Sequence, residues 1–325
     1  MNDDDMFHEG EREVQRRAGV EAVALAVGRG AMQPGIDLET AVFLSQRLFL
    51  VAGVQAPDGH VWASLLVSPP GFARTLNATH LRLLAAPAPG DPLAEALAAG
   101  PVALGLLALE PATRTRVRCN GTAVSTDSGI LVTVAQVFGN CTKYIGARVP
   151  VALISEGHTD PARRTGAHLN AHQRELLRSS DTVFVASAHP ERGADASHRG
   201  GRPGFLEVDD AGRRILLPDY TGNRMFQTLG NLSVDPRIGM LMIDWHTGLT
   251  LQLTGTAEIL WSGPEVDCRP DVDRVVAIEV EAVAEQACAL PVRYELRHAH
   301  RLNPPLPPAA GTSGPPPASD WSEDP

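Results

Sequence analysis

The sequence predicts a mainly β protein with flanking helices, built from two tandem copies of one small barrel. Two observations support this fold class. Short apolar runs separated by turn residues recur along the 325-residue chain, and many short strands with few helices are typical of small barrels. The same short phrases also occur in the same order in both halves, and such internal repetition indicates duplicated structural units.

The repeat rests on three phrases that each half contains. Ala-Ser is followed at identical spacing by Pro-Gly-Phe, and a Gly-Thr-Ala comes later at nearly the same separation. These phrases lie at 63–64, 70–72 and 121–123 in the first half, and at 196–197, 203–205 and 255–257 in the second. We therefore expect an N-terminal barrel over residues 1–155, a C-terminal barrel over 156–303 and a disordered, Pro-rich tail over 304–325.

In the first copy, apolar positions at helical spacing predict a helix over residues 7–31, and Asp37 is placed to cap a second helix over 37–46. Asp58-Gly59 stands between two apolar runs and indicates a hairpin. Pro92 fits the first turn of a short third helix. The predicted strands are 48–54, 61–67, 81–85, 102–109, 114–123 and 130–137.

The second copy repeats this order after a polar hinge over residues 156–165. A helix is predicted over 172–179. The predicted strands are 182–188, 194–199, 214–217, 238–244, 249–260 and 275–283. The second of these strands is unusual, because it runs into glycines and arginines where a strand normally carries packing residues.

The segment Ser197-His-Arg-Gly-Gly-Arg202 is the first indication of a binding site. Its glycines allow a ligand to approach the backbone closely, while Arg199 and Arg202 offer donors suited to phosphate or carboxylate. We predict an anionic, phosphorylated ligand here; the alternative is a bulged strand with two solvated arginines. The first copy has Ser64-Leu-Leu-Val-Ser-Pro69 at this place, so we expect the second copy to hold the anion and the first to form the opposite wall.

Several motifs resemble phrases of one known family. They are Ser197-His-Arg-Gly-Gly-Arg-Pro-Gly-Phe205 and the stretches at 217–226, 229–232, 235–244 and 253–255 in the second half, and those at 7–11, 69–72 and 138–145 in the first. Across residues 7–145 and 168–303 the chain resembles the FMN-binding split-barrel family, the pyridoxamine 5'-phosphate oxidase-like flavoproteins. The resemblance implies two six-stranded split barrels packed as an intramolecular pseudo-dimer, with FMN in a groove between them.

The resemblance also implies where the cofactor binds. The predicted cofactor-binding residues are Ser197, Arg199, Gly200, Arg202, Asn223, Arg224, Thr228 and Asn231. Many relatives have a lysine near Thr228, which this chain lacks, and Arg224 is expected to supply the missing charge. Because the first copy carries apolar residues and prolines at the matching places, we expect one competent groove.

Three residues are candidates for a catalytic role. His198 lies on a predicted strand and can donate a proton to a flavin or substrate; the alternative is a hydrogen-bonded or solvated histidine. Lys143 and Tyr144 follow the last strand of the first copy and can reach across to the groove of the second, where a cation stabilises reduced flavin. The alternative for this pair is a surface lysine and a tyrosine packed on the barrel rim.

Three functions fit these observations. The first is an FMN-dependent oxidoreductase that acts on an unidentified small molecule. The second is a flavin-, deazaflavin- or haem-binding protein of the same fold without turnover. The third is a purely structural duplication in which both grooves are degenerate, and it predicts that Arg199 and Arg224 point into solvent.

Composition limits which binding partners and which cellular compartment are expected. The formal net charge of −10 argues against nucleic acid or an anionic membrane as the main partner, so we expect a small-molecule substrate and either a monomeric pseudo-dimer or a homodimer. The four cysteines form no cluster with zinc spacing, and no metal site is predicted. The sequence shows no secretory signal and no apolar run of membrane-spanning length, which favours a cytoplasmic protein.

Overall fold

Two antiparallel sheets with the same strand order dominate the computed structural model, which describes residues 6–154, 163–269 and 271–306. The strands of the first sheet are β1 (Met32–Gln33), β2 (Phe49–Gln55), β3 (Val61–Val67), β4 (Ala73–Asn77), β5 (His80–Leu83), β6 (Val102–Glu110), β7 (Thr115–Thr126) and β8 (Gly129–Gly139). They are arranged in the order β3-β2-β6-β7-β8-β5-β4, and β1 pairs with β8.

The second sheet repeats this arrangement. The remaining strands are β9 (Ala147–Leu153), β10 (Arg164–Gly166), β11 (Thr182–His189), β12 (Gly193–Gly200), β13 (Glu207–Val208), β14 (Arg214–Asp219), β15 (Arg237–Ile243), β16 (Thr250–Leu260), β17 (Arg274–Gln286) and β18 (Val292–His298). The order is β12-β11-β15-β16-β17-β14-β13, with β10 paired to β17. Strands β9 and β18, which each follow the last long strand of their copy, pair with each other as a separate ribbon.

The irregularities of the two sheets coincide as well. Each sheet has a β-bulge at the glycine of its Gly-Thr-Ala phrase, between Asn120 and Gly121 in β7 and between Thr254 and Gly255 in β16. At both glycines a Cβ would overlap a carbonyl oxygen of the neighbouring strand, so the bulge requires glycine. The mainly β, duplicated architecture predicted from the sequence is therefore confirmed.

Helices precede and interrupt both sheets, and some of them occupy equivalent places in the two copies. In the described residues they are α1 (Glu9–Arg17), α2 (Glu21–Ala31), α3 (Leu38–Ser45), α4 (Pro92–Ala99), α5 (Ala171–Ser179), α6 (Gln227–Val234) and α7 (Pro264–Asp267). The predicted cap holds, because the side chain of Asp37 accepts a hydrogen bond from the Thr40 N–H at 2.8 Å. Helices α4 and α6 lie between the fifth and sixth strands of their copies and so border equivalent grooves.

Some elements differ from their predictions. The single helix predicted over residues 7–31 is wrong, since α1 and α2 are separated at Gly19, whose left-handed φ of 67° interrupts the helical path. The strand prediction also omits β9 and β18. Much of this ribbon is exposed, so its sequence lacks the regular apolar alternation by which half-buried strands are recognised.

The two sheets pack face to face through their edge strands. Strand β12 crosses β2, β6 and β7 of the first copy, while β3 crosses β11, β15 and β16 of the second. The approach is close at two equivalent glycines: a Cβ on Gly105 would lie 2.5 Å from the Cα of Asp195, and one on Gly239 would lie 2.7 Å from the Cα of Trp62. Buried apolar residues of both copies form one shared core between the sheets. Equivalent strands of the two copies thus make equivalent contacts with the opposite copy, as in a dimer with approximate two-fold symmetry.

Three predictions concern regions at the margin of the described structure. The hinge over residues 156–165 lies outside the described residues up to 162, and the tail over 304–325 lies outside them from residue 307. The proposed boundaries between the two barrels remain predictions. Among the described residues, no helix has the length and apolar character needed to cross a membrane.

Candidate functional site

A cavity of about 390 Å³ lies between the two sheets, and this volume is within the range of roughly 300–1,000 Å³ found for small-molecule sites. Both copies contribute to its wall. The lining residues are Ala18, Val20, Arg116, Arg118, Asn140 and Tyr144 from the first half, and Ser197, His198, Arg199, Gly200, Pro218, Asp219, Tyr220, Thr221, Gly222, Asn223, Arg224, Phe226, Gln227, Thr228, Trp261, Asp273 and Arg274 from the second.

The cavity is rich in positive charge, although the chain as a whole carries a net charge of −10. Five of the described lining residues are arginines, and two, Asp219 and Asp273, are acids. Because a concave wall with low dielectric strengthens the field of its charges, this excess of cations attracts an anionic ligand.

Arg118 ties the two copies together at the base of the cavity. It extends from β7 of the first copy, and its Nη1 lies 3.0 Å from both carboxylate oxygens of Asp195 on β12. Its Nη2 donates to the hydroxyl of Ser197, which lies 2.7 Å from the hydroxyl of Thr228. All four residues are buried, so this network fixes the position of β12 and of the start of α6 relative to the first copy.

Arg199 and Arg274 share one carboxylate. Arg199 forms an ion pair with one oxygen of Asp219, and the Nε of Arg274 lies 3.3 Å from the other. The guanidinium of Arg274 also stacks over the rings of Phe226 and Trp261, at 4.7 and 4.8 Å from their centroids. Asp219 thus braces two cations of the cavity wall, while the buried Nη1 of Arg274 has no partner among the described residues.

Arg116 and His198 form a second polar group. The Nη1 of Arg116 donates to the carbonyl oxygen of His198 and lies 3.2 Å from its Nδ1. Burial, together with the nearby Arg116, Arg148 and Arg199, holds the pKa of His198 well below its usual range, so the ring is neutral at neutral pH. Its Nδ1 accepts from Arg116, and its buried Nε2–H is left without a partner in the described chain.

The loop from Tyr220 to Phe226 forms one end of the cavity. Arg224 and Phe226 have left-handed φ angles of 63° and 61°, a conformation that costs energy outside glycine and is concentrated at ligand sites. Arg224 is exposed and has no ion pair with another described residue. Phe226 occupies the N-cap position of α6 but makes no capping hydrogen bond with its side chain, so the first N–H groups of this helix are not satisfied by a side-chain cap.

The candidates from the first copy, Lys143 and Tyr144, both contact this loop. The hydroxyl of Tyr144 donates to the carbonyl oxygen of Thr221 at 3.0 Å, and the Nζ of Lys143 lies 3.4 Å from the same oxygen. Tyr144 lines the cavity and its ring lies 5.3 Å from that of Tyr220. Lys143 is not among the lining residues. The two side chains therefore hold the loop of the second copy against the first.

Six of the eight predicted cofactor-binding residues line the cavity, and two lie outside it. Arg202 donates through Nε to the carbonyl oxygen of Asn303 at 3.3 Å. The side chain of Asn231 bonds to the hydroxyl of Ser187 and to the Nε2 of His8, each at 3.0 Å. Both are structural contacts that anchor the segments on either side of the cavity.

His8 also belongs to the one group of metal-ligating side chains found in the described residues, with Glu9 and His189. The Nδ1 atoms of both histidines accept backbone N–H groups. Each Nε2 therefore carries the proton, and it donates to Asn231 in His8 and to Glu9 in His189. This pattern indicates that the three side chains form hydrogen bonds that hold α1 against the second sheet, and it argues against a metal centre.

The buried carboxyl group of Glu11, beside His8, predicts a pH dependence of stability. Burial raises the pKa of Glu11 to about 8, although its carboxylate accepts the His8 N–H at 2.8 Å. Above pH 4.5 the unfolded chain loses this proton while the folded chain keeps it until about pH 8, so the free energy of unfolding decreases with rising pH over that interval. Between pH 6.5 and 8 the loss is about 2 kcal/mol, at about 1.4 kcal/mol per pH unit.

Urea titrations at pH 6.5 and 8 test this expectation, with Glu11→Gln as the variant. The variant should lose most of the pH dependence in this interval. The range avoids interference from His8, whose burial lowers its pKa to about 4 and which therefore destabilises the fold only as the pH falls below about 6.5. An equal slope in both proteins would contradict the assignment to Glu11.

The equivalent groove of the other copy is closed by its own side chains. From the shared bulge, Thr250 and Gln252 of β16 correspond to Arg116 and Arg118 of β7. Gln252 donates to the carboxylate of Asp91 at 3.0 Å and accepts from Arg163 at 2.5 Å. The remaining space is about 200 Å³. The first-copy groove thus has neutral residues where the other groove has two arginines.

Several polar residues of the main cavity are absent from the predicted set, among them Arg116, Arg118, Asn140 and Arg274. The sequence contains a signal for the first two. Aligning β7 with β16 on their bulges places arginines opposite threonine and glutamine, on alternate positions and so on one face of the strand. Such a comparison of the two copies indicates a polar surface on β7.

Residues in the second half of the chain match a known family, and several solved structures are similar to the chain. The sequence model of the family described as Pyridoxamine 5'-phosphate oxidase matches residues 169–287, and no curated protein matches. The chain is similar to HupZ from Group A Streptococcus, at 17% identity and a TM-score of 0.31, over 41% of this chain and 98% of that one. It is also similar to a putative pyridoxamine 5'-phosphate oxidase from Lactobacillus delbrueckii, at 15% identity and a TM-score of 0.30, over 36% and 93%. A third similar structure is HutZ, the haem storage protein from Vibrio cholerae, at 13% identity and a TM-score of 0.25, over 35% and 89%.

Proposed function

We propose that the cavity between the two sheets binds FMN and that the protein is an FMN-dependent oxidoreductase acting on a small molecule. The match of residues 169–287 to the sequence model described as Pyridoxamine 5'-phosphate oxidase supports this proposal. The observation that carries this proposal is the excess of arginines in one cavity of suitable size, contributed by both copies. FMN has a dianionic phosphate at one end and an aromatic ring at the other, and the cavity offers matching groups for each.

The phosphate fits best at the start of α6. The backbone N–H groups there have no side-chain cap, and the N-terminus of a helix attracts anions. Arg224 lies in the loop immediately before this helix and has no carboxylate partner among the described residues. Thr228 is in the first turn and adds a hydroxyl. This arrangement supplies the charge that the predicted lysine position lacks.

The ring fits the aromatic part of the cavity. Tyr144, Tyr220, Phe226 and Trp261 all line it, and planar aromatic side chains favour stacking with a flat ligand. When bound, FMN supplies the hydride or electron transfer. The protein orients the ring, and Arg116 and Arg118 favour negative charge beside them. His198 is neutral at neutral pH, so it serves this cavity as a hydrogen-bond donor through Nε2.

Titration of the full chain with FMN and with riboflavin, followed by flavin absorbance and fluorescence, tests the proposal. Wild type should bind FMN at one per chain. Replacing Arg224 by glutamine should weaken FMN binding about tenfold or more, since a charge-assisted hydrogen bond to phosphate contributes roughly 1.5–3 kcal/mol. Riboflavin lacks the phosphate, so its affinity should change little.

The matched control is Arg293→Gln, which removes an exposed arginine of β18 that does not line the cavity. It should leave both flavin affinities unchanged. Absence of FMN binding to the wild type would refute the proposal. A haem spectrum in the purified protein, with no flavin bound on addition, would instead support the predicted alternative of a non-catalytic haem-binding protein.

A further inference from the structure

One part of the cavity wall contains several hydrogen-bond donors without acceptors. The Nε of Arg116, the Nδ2 of Asn140 and the Nε2 of His198 are buried and have no partner among the described residues. All three residues line the cavity. A buried donor without a partner costs about 1–3 kcal/mol, so three at one place indicate a missing acceptor.

These donors belong to one small region. The Nη1 of Arg116 lies 3.2 Å from the Nδ1 of His198, and the backbone N–H of Asn140 donates to the carbonyl oxygen of Arg116 at 3.2 Å. The Asn140 side chain is held by Asn223, whose Nδ2 donates to its Oδ1 at 2.8 Å. That contact uses the acceptor of Asn140 and leaves its donor free.

The charge at this place is also uncompensated. Arg118, Arg199 and Arg274 each form an ion pair with an aspartate. Arg116 forms none with any described residue, and its side-chain hydrogen bonds are to His198. A partly buried guanidinium without a counter-ion is unfavourable. This side chain therefore requires an anion from a ligand, because no described residue provides one.

We propose that Arg116, Asn140 and His198 form a second anion subsite, which binds the carboxylate of a small-molecule substrate beside the cofactor. The inference rests on the proposed function, because it assigns the second ligand of the same cavity. A planar guanidinium with two neighbouring donors matches the two oxygens of a carboxylate. The subsite is distinct from the phosphate position, since Arg224 and α6 contribute none of its donors.

Calorimetric titration of the full chain, without added cofactor, tests the subsite with two probes at constant ionic strength: benzoate and inorganic phosphate. Wild type should bind both. Arg116→Gln should weaken benzoate binding about tenfold or more and change phosphate binding less than about twofold. Arg224→Gln should do the reverse. Asn140→Asp, which keeps the side-chain shape but adds a negative charge, should abolish benzoate binding, and it covers the case in which Arg116→Gln fails to fold.

Four results would overturn the subsite: no benzoate binding to wild type, equal weakening of both probes by both arginine variants, unchanged benzoate binding in Arg116→Gln, or unchanged benzoate binding in Asn140→Asp. A final titration uses FMN-loaded protein. Retained benzoate affinity supports two adjacent ligands, whereas competition between FMN and benzoate would show that these donors bind the flavin itself and would refute the substrate assignment. If FMN does not bind but benzoate does, the proposed function fails and the carboxylate site stands.

Discussion

Replacing Asp195 by alanine is expected to lower the free energy of unfolding by about 3–5 kcal/mol, the cost of removing one partner of a buried ion pair. Asp195 lies on β12 of the second copy and Arg118 on β7 of the first, and both are buried. Without the carboxylate, the guanidinium remains in the interior with its charge unpaired. Because this ion pair also joins the two copies, its loss weakens the packing between the sheets as well as leaving a charge unpaired.

Urea denaturation of the two proteins at the same pH measures this loss. Asp210→Ala is the matched control, because Asp210 also pairs with an arginine, Arg178, but its side chain is fully exposed. Exposed pairs contribute about 0–1 kcal/mol, so this variant should be close to wild type. Equal effects of the two substitutions would show that the Arg118–Asp195 pair contributes no more than a surface pair.

Adding one methyl group at Gly239 or Gly105 is expected to destabilise the protein by about 3 kcal/mol or more, at the upper end of overpacking effects. The new Cβ would lie 2.7 Å from the Cα of Trp62 in Gly239→Ala and 2.5 Å from the Cα of Asp195 in Gly105→Ala. The opposing atoms belong to backbone, so no change of rotamer relieves the contact. The sheets must move apart instead, and the shared core between them loses contact.

Thermal and urea unfolding should give similar losses of stability for Gly239→Ala and Gly105→Ala, because the two positions are equivalent in the two copies. Gly30→Ala is the control: its Cβ meets no atom within 4 Å, and alanine in a helix is favoured over glycine by about 0.5–1 kcal/mol. It should be slightly more stable than wild type. A stable, fully folded Gly239→Ala protein would contradict the close packing of β3 on β15.

Much of the fold could be predicted because the sequence repeats itself where the backbone geometry is demanding. Gly121 and Gly255 mark bulges at which a side chain would overlap the neighbouring strand, so both copies need the same residue. Alternating apolar residues then locate the long strands. The break between α1 and α2 and the exposed ribbon of β9 and β18 could not be predicted, since neither has a strong apolar pattern.

The predicted residues that line the cavity come almost entirely from the copy that supplies the glycine- and arginine-rich strand, and Tyr144 is the exception from the first copy. Arg199 and Arg224 stand in a conspicuous sequence context, and both line the cavity. Arg116 and Arg118 lie on an ordinary-looking strand, and their role depends on how β7 faces β12 across the interface. That relation is set by tertiary packing between residues far apart in the chain. Arg202 was predicted from the same local context but lies outside the cavity, since its neighbour is Asn303.

The closed groove of the first copy has a consequence for how this protein can change. In a symmetric homodimer each substitution occurs twice and alters both clefts together. Here every position occurs once, so Gln252 can bond to Asp91 and Arg163 in one cleft while Arg118 keeps its own partners in the other. Joining the two copies in one chain thus removes the symmetry constraint. The two clefts can therefore be engineered independently, one to bind one ligand and the other to bind an unrelated ligand or to increase stability.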